Sequence, residues 1–229
     1  MQQKLYDEME MYFETGDYDG CIKTANTLLK MDPNDTYSFY MRGNAYRKKE
    51  NYIDAIKDLI QVIDAYDTQH MVIATILWCI HRILKDTEIR EPVENLISGI
   101  KSDQCRLKLF GFYYSSVGEH RKAIDAYDRA IDLPRGQPKK MFDHIGKEWS
   151  KLGEHQRAID YYTAALKYEK RDNFDCFTYF SRAESRYMLG NNDAAIADAQ
   201  TALLLSFDEA GKRQIQDFIL KVKSAMSEG

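Results

Sequence analysis

The chain has 229 residues, of which 44% are apolar and 30% charged, with a formal net charge of −4. That balance suits a folded globular protein and excludes a disordered one, and the negative charge weighs against a dedicated phosphate-backbone binder. The longest apolar run, Met71–Ile80, is about half the ~20 residues that a membrane-spanning helix needs.

The first residues, MQQKLYDEMEMYFETG, are acidic and lack an apolar core, so they do not read as a signal peptide. Only four prolines interrupt the chain, which leaves room for long helices. Cys21, Cys79, Cys105 and Cys176 are far apart and form no CxxC pair. They are expected to be buried free thiols of a reducing cytosol.

In chain order, a short turn recurs before each new helix: Gly16 in ETGDYDGCI, Glu50 in KKENYIDAI, Gly118 in SVGEHRKAI, Gly153 in KLGEHQRAI and Gly190 in MLGNNDAAI. Glu50 follows Gly16 by 34 residues, and Gly118 follows Glu50 by 68, so one unrecognised copy lies between them with its turn near Leu84. The next two intervals are 35 and 37. Around each turn the same residue types return. Gly43, Gly111, Gly146 and Ala183 share one position before the turn, and Cys21, Ala55, Ala123, Ala158 and Ala195 share one after it. Tyr12, Tyr46, Tyr114 and Trp149 form an aromatic column. In AIDAYDRAI, residues Ala123, Ile124, Tyr127, Ala130 and Ile131 form one apolar stripe of helical period. Small residues at two facing positions let a pair of antiparallel helices approach closely. A lone hairpin cannot cover its apolar face, so the hairpins are expected to stack and share a core.

This period and these columns resemble the tetratricopeptide repeat family over about residues 2–209. The likeness is strong in repeats 2, 4 and 5, good in 1 and 6, and poor in 3. It implies an all-α, right-handed α-solenoid of about six helix-turn-helix repeats: 2–35, 36–69, 70–103, 104–137, 139–172 and 176–209. Residues 210–229 are expected to form a capping helix, with Ile215, Phe218, Ile219 and Val222 on one stripe. Repeat 3 departs from the pattern, with Leu77 and Ile89 at the small positions and Pro92 in its second helix. That helix is expected to be short and to start near Glu91. The segment LPRGQPKK is expected to fix an irregular joint after repeat 4.

No catalytic constellation is legible. His120 and His155 occupy the hairpin-turn position that carries Tyr18 and Tyr52 in the first two repeats, and are expected to pack there. His70, His81 and His144 form no HExxH or i, i+4 pair, and there is no phosphate loop or GxSxG. The expectation is no enzyme, no metal and no cofactor.

The resemblance implies a concave groove lined by the first helix of each repeat. Its candidate binding residues are Tyr40, Asn44, Arg47, Trp78, His81, Lys108, Phe112, Lys147 and Lys151. Met71, Trp78 and Phe112 make its middle apolar, and Lys140, Lys147 and Lys151 make repeat 5 basic. Such a surface fits a protein or peptide partner, which makes the chain a cytoplasmic interaction scaffold or adaptor, a monomer or weak homo-oligomer. The alternatives are single-stranded nucleic acid on repeat 5, which the net charge disfavours, and self-association. The Lys and Asn pattern by which some family members clamp a terminal carboxylate is absent: Tyr40, Thr75 and Phe112 stand where it needs Lys or Asn.

Overall fold

Five hairpin turns among the described residues use one residue of left-handed backbone, and at four of them that residue is glycine. Gly16, Gly118, Gly153 and Gly190 all have φ between 75° and 82°. At Gly153 the glycine N–H donates to Ser150 O at 3.0 Å, and the Glu154 N–H reaches back to Trp149 O at 3.0 Å. This is the Schellman closure of a helix C-terminus. Glu50 makes the same turn at φ 61°, the single non-glycine at positive φ among the described residues.

The computed structural model describes residues 2–65, 70–84, 89–133, 138–167 and 175–227. The joint residues Pro134–Gly136, the 173–174 insertion and the side chain of His70 lie outside them. Among the described residues there are thirteen α-helices and no strand. They are α1 (Gln2–Glu14), α2 (Tyr18–Met31), α3 (Thr36–Lys48), α4 (Tyr52–Ala65), α5 (His70–Ile83), α6 (Arg90–Ser98), α7 (Asp103–Ser116), α8 (His120–Ile131), α9 (Pro138–Lys151), α10 (His155–Leu166), α11 (Asp175–Met188), α12 (Asn192–Leu205) and α13 (Glu209–Ser227). The fold is an all-α solenoid of helical hairpins. Its starts are chemically marked: the Asp17, Asp35 and Ser102 side chains accept from backbone N–H groups in the first turns of α2, α3 and α7. Helix α6 has nine residues and Pro92 in its first turn, where a missing N–H costs least.

The chain divides into two halves, Met1–Val117 and Gly118–Gly229. In the N-terminal half, Met9, Cys21, Ala25 and Leu28 form one core with Ala45 of α3. A larger core runs through α4–α7 around Leu59, Ile63, Ile76, Ile80, Val93, Ile97 and Leu109. In the C-terminal half, Ala183, Ala199 and Ala202 pack with Ile215 and Ile219 of α13. Phe218 joins that cluster and Val222 is fully buried, so the expected stripe of the last helix does face inward.

The small positions bring helix axes together. A Cβ added to Gly146 of α9 would lie 2.7 Å from Tyr162 Cε1 of α10, and one added to Gly43 of α3 would lie 3.0 Å from Leu59 Cγ of α4. Two buried ion pairs fix the same kind of hairpin. Arg42 holds Asp58 in a bidentate pair with both bonds at 2.7 Å, and reaches Asn26 of α2. Arg182 holds Asp198 with both bonds at 2.7 Å, and donates to Thr163 of α10 at 3.0 Å. Each guanidinium therefore ties a hairpin to the helix before it.

Candidate functional site

The first helices of successive hairpins carry the candidate binding residues, and in the N-terminal half these are α3, α5 and α7. Helix α5 buries Val72, Ile76, Cys79 and Ile80 against its neighbours. That leaves the next positions outward: Met71 is 78% exposed and Trp78 43%, with His81 and Arg82 also exposed. On α3, Tyr37 and Tyr40 are exposed at 39% and 37%. Lys108 and Phe112 of α7 are half-buried.

Trp78 is a built position and not a stray surface ring. The Tyr52 ring meets it edge-on at 5.6 Å between centroids. The Arg47 and Arg82 guanidiniums lie 5.5 Å and 5.4 Å from its centroid, inside cation–π range. The neighbouring Tyr52 hydroxyl raises the pKa of the Arg82 guanidinium. Asn44 is placed differently from the groove expectation. It is buried, its Nδ2 donates to Tyr40 O at 2.9 Å, and its Oδ1 accepts from Arg47 Nε at 3.4 Å. It therefore positions Arg47 and presents little of itself to a ligand. Tyr37 donates to Glu10 of α1, and burial together with that carboxylate pushes its hydroxyl pKa up.

In the C-terminal half the expected basic patch is locally balanced. Lys147 pairs with Asp143 at 2.7 Å, and Lys151 pairs with Glu148 at 2.7 Å. Glu148 is almost fully buried and its second oxygen lies 2.7 Å from His120 Nδ1. The histidine of the first GEH copy thus has a partner as well as a packing role. The second copy differs, because His155 Nδ1 and Ser185 Oγ are buried with no hydrogen-bond partner among the described residues. The sequence missed the His120–Glu148 contact because Glu148 comes from the following hairpin and no acidic residue recurs at that position. On α11, Phe177 and Met188 are exposed, whereas Phe180 and Tyr187 meet Phe218 of α13 at 5.4 and 5.8 Å. Burial raises the Glu184 carboxyl pKa beside them, partly offset by Lys221.

No described group of three or more His, Cys, Asp or Glu side chains could hold a metal ion. All four cysteines are buried, and burial pushes the Cys21 and Cys79 thiols up to about 11, which disfavours the nucleophilic thiolate. No helix of the described residues is long and apolar enough to cross a membrane.

Comparisons with known proteins agree with this architecture. The family model for the tetratricopeptide repeat matches residues 36–68, which span α3 and α4. No curated protein matches the chain. Among solved structures, a tetratricopeptide repeat protein from Parabacteroides merdae aligns with TM-score 0.60 at 14% identity, covering 99% of this chain and 87% of that one. The C-terminal part of a TPR repeat-containing protein from Cytophaga hutchinsonii aligns with TM-score 0.54 at 16% identity, covering 86% and 77%. A chain of the Cut9–Hcn1 hetero-tetramer of the APC/C aligns with TM-score 0.57 at 14% identity, covering 95% of this chain and 42% of that one. The chain therefore carries a tetratricopeptide-repeat match at residues 36–68 and shares the fold of tetratricopeptide-repeat structures along its length.

Proposed function

We propose that the chain is a non-catalytic interaction scaffold of the cytoplasm that binds a peptide or helix of a protein partner. The binding surface is the exposed face of α3, α5 and α7, with Tyr40, Arg47, Trp78, His81, Lys108 and Phe112 as contacts and Asn44 as support. The observation that carries this reading is the indole of Trp78, left 43% exposed while Arg47, Arg82 and Tyr52 hold it in place. An exposed aromatic anchor with fixed rotamer loses little entropy on binding, which is what interface hot spots share. Lys147 and Lys151 are offered as a second, separate contact in the C-terminal half.

Trp78→Ala with Phe112→Ala is expected to remove a partner captured by the parent protein in an affinity pull-down, with the far-UV circular dichroism unchanged. Equal capture by the double variant refutes the surface. Nucleic-acid binding by α9 is disfavoured by the Asp143 and Glu148 pairs of its lysines. Self-association is the second reading, supported by Leu204, Phe207 and Leu220, which are 86%, 67% and 66% exposed. Light scattering that gives a monomer mass at every concentration dismisses it.

A further inference from the structure

Helices α3, α5 and α7 differ from the rest of this acidic chain in charge. Their cations are Arg42, Arg47, Lys48, Arg82, Arg106 and Lys108, and their one carboxylate, Asp103, is paired with Arg106. The helices between them are acidic: α4 carries Asp54, Asp58 and Asp64 against Lys57, and α6 carries Glu91 and Glu94 against Arg90. From α3 to α7 charge thus alternates between basic and acidic helices, although α1 is acidic and the protein as a whole is negative.

Within the basic helices, Arg42 is consumed by Asp58. Arg47 and Arg82 are not: neither makes an ion pair with any described carboxylate, and Glu50 acts on Arg82 only through space. Both guanidiniums lie within 5.5 Å of the same indole centroid. Two guanidiniums at one ring, neither paired with a described carboxylate, make a positive patch that an anionic partner complements. Guanidinium also favours planar, bidentate recognition of a carboxylate.

We propose that Arg47, Trp78 and Arg82 form a composite site for an acidic peptide. Acidic side chains of the partner pair with the two guanidiniums, and a neighbouring apolar side chain lies against the exposed part of the Trp78 indole. This rests on the reading of the α3/α5/α7 face as the peptide-binding surface, and it supplies the chemistry of the partner. It is a different arrangement from the Lys/Asn clamp for a terminal carboxylate, since it needs internal acidic side chains and not a chain end.

The test uses the full chain carrying Trp149→Phe, which leaves Trp78 as the sole tryptophan, because the protein has two. Short synthetic peptides of Glu, Leu and Gly, of Glu, Ser and Gly, and of Lys, Leu and Gly are titrated against its fluorescence, with oligothymidine in parallel. Saturable change is expected with the Glu/Leu peptide, weaker change with Glu/Ser and none with Lys/Leu. Arg47→Gln with Arg82→Gln is expected to weaken the Glu/Leu response about tenfold or more, and added salt to weaken it in the parent. No response to the Glu/Leu peptide, or one indifferent to the arginine substitutions, overturns the proposal. So does tighter binding of oligothymidine, which would assign the site to nucleic acid. If the Lys/Leu peptide responds as well as the Glu/Leu peptide, the acidic partner falls while the peptide-binding surface stands. If the captured partner of the parent survives Trp78→Ala with Phe112→Ala, the surface itself falls.

Discussion

Gly146→Ala sets two effects against each other at the α9/α10 contact. Alanine in a helix interior is favoured over glycine by about 1 kcal/mol. The new Cβ would meet three ring carbons of Tyr162 at 2.7, 2.8 and 3.1 Å. Tyr162 is 1% exposed, so its ring has no solvent to move into. Overpacking of this kind costs about 1–3 kcal/mol, and contacts under 3 Å with a rigid ring belong at the upper end. The net expectation is a loss of about 1–2 kcal/mol. Gly43→Ala provides the control at the same position of another hairpin. Its Cβ meets Leu59 Cγ at 3.0 Å and Asp58 Cβ at 3.2 Å, and an aliphatic side chain yields more readily, so the change there is expected to be about zero. Urea unfolding followed by circular dichroism, with hydrogen exchange resolving the amides of α9 and α10, measures both. Tyr162→Leu makes room for the methyl, so a double-mutant cycle should return a favourable coupling between Gly146→Ala and Tyr162→Leu. A Gly146→Ala protein as stable as the parent, or a cycle with zero coupling, would refute the close-approach account.

Glu50→Gly should stabilise the N-terminal half by about 0.5–1 kcal/mol, because a left-handed side chain costs more than the added freedom of the unfolded glycine; a lowered urea midpoint contradicts this. Asp58→Ala leaves the Arg42 guanidinium buried without its partner and should cost about 3–5 kcal/mol, whereas Arg42→Met with Asp58→Leu should recover most of it in equilibrium unfolding. His144 stacks on Tyr127 at 5.0 Å, and burial holds its pKa down at about 4 against 6.5 when exposed. It is neutral in the folded state, so its contribution is complete above about pH 6.5 and is lost as pH falls toward 4, up to ~3 kcal/mol in all. His144→Phe keeps a ring on Tyr127 and cannot take up a proton, so stability of the C-terminal half should fall less steeply through that window; an equally steep fall refutes the assignment.

The helical period was legible because packing imposes it on every copy. Turn glycines, facing small residues and the apolar stripe of α13 all recur or follow helical spacing, and each is a local requirement of a hairpin. What escaped sequence reading are polar contacts, within a copy or between copies, made by residues that not every copy has. Arg42 with Asp58 and Arg182 with Asp198 share an interval of 16 residues in two hairpins, and a comparison of charge column by column would have found them. His120 with Glu148 has no counterpart at His155, where Ser185 stands, so no column could reveal it. The Trp78 site was half visible. Its exposed aromatic was expected, but the approach of Arg47 from the preceding hairpin, and the burial of Asn44 beneath it, depend on how neighbouring helices stack.

The four turn glycines share a further property: a Cβ built on Gly16, Gly118, Gly153 or Gly190 would have no heavy atom within 4 Å. Space is open there and only handedness is restricted. The L-configuration is what these turns disfavour, whereas a D-amino acid would sit there in its own preferred region of backbone space. D-Ala introduced at Gly153 by chemical ligation would therefore tighten the unfolded chain while leaving the turn intact. Mirror-image chemistry at single positions is a route to stiffening this solenoid that no coded substitution offers.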